Sequence, residues 1–180
     1  MKESRKKEGS SQMENRNGKP GFAVRLFRED LNFSAAHIST YRDLMEGQHG
    51  HNYQLSIEIR GPLDEDSLVI DFRVVKEIVK SIKGTLNHRT LVPGKHPRLS
   101  IERGQKSTRI RFADQQVELP TRDVVLLDVE NLTSEMLAFY IFESIRKALP
   151  AADIERLDTL SVEVIESPGQ SASYSGVLGF

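Results

Sequence analysis

From residue 22 onward, apolar and polar positions alternate. Phe22, Val24 and Leu26 share one face, and after Arg28-Glu29-Asp30 the alternation resumes with Leu31, Phe33, Ala35 and His37. A period of two predicts one bulged strand or two separate strands. A loop follows over residues 39–48. Tyr53, Leu55, Ile57 and Ile59 then point one way and Asn52, Gln54, Ser56 and Glu58 the other, until Gly61-Pro62 ends the strand. The period changes after Asp71, a good N-cap: Val74, Val75, Ile78, Val79, Ile82 and Leu86 recur at helical spacing, with Gly84 weakening the end. Residues 93–97 read as a loop. Ile110, Phe112, Val117 and Leu119 predict a hairpin around Ala113-Asp114-Gln115. Thr133 can cap a second helix with the stripe Leu137, Ala138, Ile141, Ile145 and Leu149, which Pro150 stops. Leu160, Val162 and Val164 mark a strand, and a last one runs from Ala172 to Phe180. Strand pairs flanking helices predict an α+β fold, an antiparallel sheet with helices on one face.

Composition narrows the function. The chain has 180 residues, the size of one domain. Residues 1–20 are too polar to bury much surface and read as a disordered arm, which leaves a single domain at 21–180. The net charge is -1, so there is no overall basic field to attract nucleic acid or an acidic membrane. With 0 Cys, disulfides, thiolate metal sites and cysteine nucleophiles are excluded. The start has no apolar core of a signal peptide, and the longest apolar run, Met136 to Phe142, is far short of a membrane span. The expected location is cytoplasmic.

The candidate chemistry lies in three histidines. His37 is in register with Phe33 and Ala35, while His49 and His51 are in register with Tyr53, Leu55, Ile57 and Ile59. Strands adjacent in sequence usually pair. The loop between these two joins their histidine ends, so three imidazoles should converge on one apolar face. A lone inward histidine is usually a satisfied core residue. Three together leave several nitrogens in need of a partner. Three neutral imidazoles with an open fourth position form a catalytic zinc pattern, so Zn2+ is the expected cofactor.

Further motifs stand in order around these histidines. Phe33-Ser34-Ala35-Ala36-His37 is followed by Glu46-Gly47-Gln48-His49-Gly50-His51-Asn52-Tyr53, then by Val69-Ile70-Asp71-Phe72 and Leu86-Asn87-His88. Thr133-Ser134-Glu135 follows, and then Glu166 with Tyr174 beyond it. Together they resemble the 6-pyruvoyltetrahydropterin synthase family, which also contains the 6-carboxytetrahydropterin synthases. The resemblance implies a pterin-binding tunnelling fold: a four-stranded antiparallel sheet with two helices on one face, here with an inserted hairpin. It also implies a homo-oligomer, a hexamer built from trimers, with sites at subunit interfaces. The segment from Pro93 to Pro120 is longer than in short family members and carries Arg98, Arg103, Lys106, Arg109 and Arg111. It reads as a plain solvent hairpin, or alternatively as a cover for the site or an extension of the hexamer.

Where the family pattern has a catalytic Cys, four residues before the His-Gly-His motif, this chain has Met45, whose thioether cannot act as a base. Glu46 stands one residue later. The arrangement resembles a subgroup in which Glu takes the place of Cys and 7,8-dihydroneopterin, or its triphosphate, becomes 6-hydroxymethyl-7,8-dihydropterin. A diol beside zinc becomes more acidic. A carboxylate can take its proton, and retro-aldol collapse then breaks the adjacent C–C bond. The family implies that His88 is a second proton shuttle, though a helix-end histidine can also simply meet the carbonyl dipole. The Asp that orients this histidine in relatives is Asn87 here. Glu166 continues the inward parity of Leu160, Val162 and Val164, and the resemblance makes it the pterin anchor, with Thr133, Ser134 and Glu135 adding polar contacts. Thr133 and Glu135 can serve equally as helix caps. The first reading is therefore a zinc-dependent lyase with His37, His49 and His51 on the metal and Glu46 as base. The alternatives are 6-carboxy- or 6-pyruvoyl-tetrahydropterin synthase activity, or a non-catalytic zinc- and pterin-binding protein.

Overall fold

The organising element of the computed structural model is a strand of 13 residues, His49–Gly61. The structure describes residues 21–179, and the expected arm at 1–20 and Phe180 lie outside the described residues. The strands are β1 (Phe22–Leu26), β2 (Phe33–His37), β3 (Thr40–Tyr41), β4 (Leu44–Met45), β5 (His49–Gly61), β6 (Thr90–Pro93), β7 (Ser100–Arg103), β8 (Ser107–Phe112), β9 (Gln115–Pro120), β10 (Val124–Leu127), β11 (Thr159–Ser167) and β12 (Gln170–Val177). The helices are α1 (Phe72–Leu86), α2 (Ser134–Ala148) and α3 (Ala151–Arg156).

Strands β1 and β2 lie end to end along one edge of β5, separated by a single 3-10 turn at Glu29–Leu31. The alternation broken at 28–30 is thus two strands. Along the other edge, β11 pairs antiparallel with β5, and β12 with β11. This is the expected antiparallel core, but the sheet does not stop there. β6 joins β2 in parallel and β10 joins β6 in parallel, giving a mixed sheet of 7 strands. The four-stranded antiparallel expectation is corrected accordingly. All four residues of Thr90-Leu91-Val92-Pro93 are buried, so β6 has no polar face to alternate with.

The helices cover the inner face of the sheet. Val75 and Val79 of α1 and Ile141 and Ile145 of α2 share one core with Ile57, Ile59, Leu160, Val162 and Val164. Asp71 caps α1, accepting from the Arg73 amide at 2.8 Å, and Thr133 caps α2, accepting from the Met136 amide at 3.4 Å. Gly84 lies inside α1 and does not end it; Asn87 is the C-cap. Pro150 stops α2 and also opens the short α3, a role that suits a residue without an N–H.

The expected hairpin at 110–119 is part of a separate three-stranded sheet, β7-β8-β9. Ile110 and Phe112 are buried on its inner face with Ile38, Met45, Val92 and Val124. Its outer face carries a ladder in which Arg109 and Arg111 pair with Glu102, and Arg109 also with Glu118. The segment is therefore docked on the main sheet beside β4 and is not a plain solvent hairpin. No helix among the described residues is long and apolar enough to cross a membrane.

Candidate metal and pterin site

The pairing of β2 with β5 sets His37 directly across from His49 and Ala35 across from His51. Gly50 makes this approach possible, because a Cβ there would stand 2.7 Å from the Ala35 carbonyl oxygen. The three imidazoles lie with ring centroids 4.4, 5.0 and 5.3 Å apart. Glu166 joins them, and the four ligand atoms fall within 4.8 Å of one another. The expected convergence of His37, His49 and His51 is present. Glu166 is half-buried and sits at a bulge near the end of β11. Its Oε2 accepts from the Ser134 hydroxyl at 3.0 Å, while Oε1 lies 2.9 Å from His51 Nε2 and 3.8 Å from His37 Nε2.

The hydrogen bonding of these rings suits a cation. His37 Nδ1 lies 3.0 Å from the Leu132 carbonyl oxygen, and His49 Nδ1 lies 2.8 Å from that of Gly47. A carbonyl can only accept, so each Nδ1 carries the hydrogen and each neutral ring presents a bare Nε2. Those two Nε2 atoms face each other at 3.1 Å. Burial first, and then the neighbouring His49, push the pKa of His37 below its ordinary value, which favours the neutral ring. His51 Nε2 is buried and makes no hydrogen bond, despite its closeness to Glu166. Facing lone pairs and an orphaned buried nitrogen are costly without a positive charge among them. Three imidazoles and a carboxylate are ordinary zinc ligands, so the residues present fit such an ion.

A cavity of about 630 Å³ opens over the cluster and is also lined by Glu46, Thr133, Ser134 and Glu135. Glu46 follows β4. Its amide donates to the Ser39 carbonyl at 3.0 Å, and the buried Ser39 hydroxyl donates to its carboxylate. Met45, by contrast, is buried in the second core with Ile110 and Phe112. Hydrogen bonds from its own backbone amide and from Thr133 hold the Glu135 carboxyl below its usual range. Thr133 and Glu135 thus line the cavity and cap α2 at once.

His88 is not brought to this cavity. It has a positive φ of 56° just past α1, and its amide donates to the Ser34 carbonyl at 2.7 Å. The Asn87 side chain does not hold the imidazole; it accepts from the Ser34 amide at 3.0 Å. His88 lines a different cavity, of about 480 Å³, together with Ser34, Asn52 and Asp123. Ser39 was not anticipated, although it continues the parity of Phe33, Ala35 and His37.

Comparison with known proteins agrees with this picture. Residues 27–177 match the 6-pyruvoyl tetrahydropterin synthase family. A protein of Methanocaldococcus jannaschii, provisionally named a 6-carboxy-5,6,7,8-tetrahydropterin synthase, is 30% identical over 145 residues, covering 80% of this chain and 89% of its own. The 6-carboxy-5,6,7,8-tetrahydropterin synthase of Haemophilus influenzae is 26% identical over 151 residues, covering 81% of this chain and 95% of its own. Among solved structures, the 6-pyruvoyl tetrahydropterin synthase of Plasmodium falciparum superposes with a TM-score of 0.82 at 27% identity, over 87% of this chain and 98% of that one. The Plasmodium vivax 6-pyruvoyltetrahydropterin synthase, solved with a catalytic glutamate replaced by alanine, has the same TM-score and coverage at 25% identity. The fold is the tunnelling fold of pterin enzymes. The chain belongs to the 6-pyruvoyl tetrahydropterin synthase family and is an enzyme of it.

Proposed function

We propose that this enzyme is a zinc-dependent lyase that cleaves the side chain of 7,8-dihydroneopterin or its triphosphate to give 6-hydroxymethyl-7,8-dihydropterin. The observation that carries this reading is Glu46 in the cavity of the imidazole cluster, with Met45 turned away into the second core. The named catalytic glutamate of the Plasmodium vivax relative, itself called a synthase, supports a catalytic role for a glutamate and leaves the product open. His37, His49 and His51 would hold the ion, which when bound supplies Lewis-acid polarisation of a substrate hydroxyl. Glu46 removes the proton from the hydroxyl on the second carbon of the side chain, so that the bond between the first and second carbons is the one that breaks, and Ser39 holds the carboxylate in place. The O–H electron pair becomes a carbonyl, the adjacent C–C bond breaks, and its electrons pass into the dihydropterin ring. A proton returned to the freed carbon completes the product, and a two-carbon aldehyde leaves. Glu166 and Ser134 anchor the N–H edge of the pterin beside Thr133 and Glu135. His88 returns the proton from a neighbouring copy, in a hexamer built from trimers that closes the site at a subunit interface.

A second reading is formation of 6-carboxy- or 6-pyruvoyl-tetrahydropterin, and the names of the relatives favour it over the lyase. Incubating the zinc-loaded protein with 7,8-dihydroneopterin triphosphate and identifying the pterin by mass separates the two. The lyase reading expects 6-hydroxymethyl-7,8-dihydropterin, with Glu46→Gln lowering turnover about 10²- to 10⁴-fold at unchanged zinc content. A 6-carboxy or 6-pyruvoyl product overturns it in favour of the second reading.

A further inference from the structure

Strands β3 and β4 form a two-stranded ladder, which is marginal on its own. This hairpin bears Glu46 at its exit and Ser39 at its entry, so its placement sets the geometry of the carboxylate. Thr40 and Met45 are paired within it, and the backbone groups of both are taken up by side-chain carboxamides. The Met45 amide donates to Gln115 Oε1 at 2.7 Å, and Gln115 Nε2 donates to the Met45 carbonyl at 2.9 Å. On the opposite edge the Thr40 amide donates to Asn131 Oδ1 at 3.1 Å, and Asn131 Nδ2 donates to the Thr40 carbonyl at 2.9 Å. Each carboxamide offers one acceptor and one donor, the same pair a backbone peptide presents to a neighbouring strand. The hairpin is thus flanked on both edges as if by strands, each one residue long.

We propose that Gln115 is a positioning residue for Glu46, with Asn131 as its counterpart on the far edge, and that the second sheet serves the site by presenting Gln115 to the backbone of Met45. Gln115 opens β9 directly after the Ala113-Asp114 turn, and Ile110 and Phe112 anchor that turn in the core containing Met45 itself. Among the described residues the sheet makes no hydrogen bond or ring contact with His37, His49 or His51, its Phe112 packing instead on the His96 ring that meets Thr40 of the hairpin, so its effect should fall on the base and not on the metal. Asn131 also accepts from the Leu132 amide, next to the carbonyl that faces His37, so the two edges of the hairpin are tied to separate parts of the fold.

This inference rests on Glu46 as the base, and the test keeps the two apart. Gln115→Met preserves side-chain length and removes both hydrogen bonds. In the zinc-loaded protein it is expected to lower kcat on 7,8-dihydroneopterin triphosphate about 10- to 100-fold, with KM and zinc content unchanged within about twofold. In a Glu46→Gln background the same change should cost less than about twofold, because a residue acting only through Glu46 has nothing further to lose. The Met45 amide should exchange its hydrogen faster in Gln115→Met than in the parent, a readout independent of turnover. Full kcat in Gln115→Met, an equal loss in both backgrounds, or unchanged exchange at Met45 overturns the proposal. If Gln115→Met does not fold, Gln115→Glu, which loses only the donor to the Met45 carbonyl and keeps the acceptor for the Met45 amide, gives the kinetic readouts alone. Full turnover in Glu46→Gln alone would refute the base, whereas the exchange at Met45 would still report on the clamp.

Discussion

Strand β5 keeps one parity over its whole length and puts it to two uses. Its second half turns Leu55, Ile57 and Ile59 under the helices, where Ile57 and Ile59 are each 1% exposed. Its first half turns His49 and His51 to the same face, opposite His37 and Ala35 of β2. The backbone is the same in both halves. The aliphatic half is satisfied by burial alone, at roughly 1.5–3 kcal/mol per side chain. The imidazole half is not, since His51 Nε2 is buried without a hydrogen-bond partner and the Nε2 atoms of His37 and His49 face each other. One half therefore stabilises the fold and the other depends on a ligand, and substitutions in the two should have separable consequences.

The largest effect belongs to the imidazole half. His51→Ala should lower zinc content to below about a tenth of the parent's and turnover by at least about 10³-fold, with the apo protein still folded. Ligand that binds only the native state raises stability by mass action. A chelator should therefore lower the Tm of the parent and leave that of His51→Ala unmoved. Metal analysis and paired melting curves check this, and a variant that keeps its zinc would remove His51 from the ligand set. Glu166→Gln belongs beside it as a discriminator: lost zinc marks a ligand, and weakened pterin binding with zinc retained marks the anchor.

In the aliphatic half, Ile57→Ala should cost about 2–5 kcal/mol of stability by leaving a cavity between the sheet and the helices. The folded fraction should still bind zinc in full and turn over at the parent's rate. Urea titration with metal analysis on the same sample tests it. A loss of zinc in the folded protein would mean that the two halves are coupled through the strand and that their separation is wrong.

How much of this was legible in the sequence follows from how local each signal is. Parity is local, so the shared face of His37, His49 and His51 could be read from spacing, as could the caps Asp71 and Thr133. The parity of Glu166 also held, carrying it inward although β11 bulges there. Strand β6 was hidden because a segment buried on both faces has no period, and the parallel extension of the sheet was hidden with it. Gln115 and Asn131 carried no signal at all. A carboxamide that stands in for a strand leaves no trace in periodicity, and its partner lies 70 or 91 residues away. The resemblance placed His88 with the site, but Asn87 and His88 are clipped to Ser34, whose side chain faces away from the imidazoles, and the cavity of a single copy does not include it.

The smallest effect lies on the outer face of the aliphatic half, where Glu58 stands across from Arg25 of β1 and two residues from Arg60. Burial alone would raise its carboxyl pKa, but hydrogen bonds from Arg25 and Arg60 outweigh that and hold it below its ordinary value. The folded value is thus below the unfolded one. The stabilisation is complete above the unfolded pKa and is lost as pH falls through the folded value. Arg25 is 55% exposed and Arg60 29%, so solvent screening limits the contribution to under about 1 kcal/mol. Glu58→Gln should therefore be slightly less stable than the parent at pH 7, with the two urea curves converging toward pH 3. Its zinc content and turnover should match the parent's, because this carboxylate faces away from the imidazoles. A gap that persists undiminished at pH 3 would assign the loss to packing instead of charge. A change in zinc content would show that the two halves of β5 are less independent than their side chains suggest.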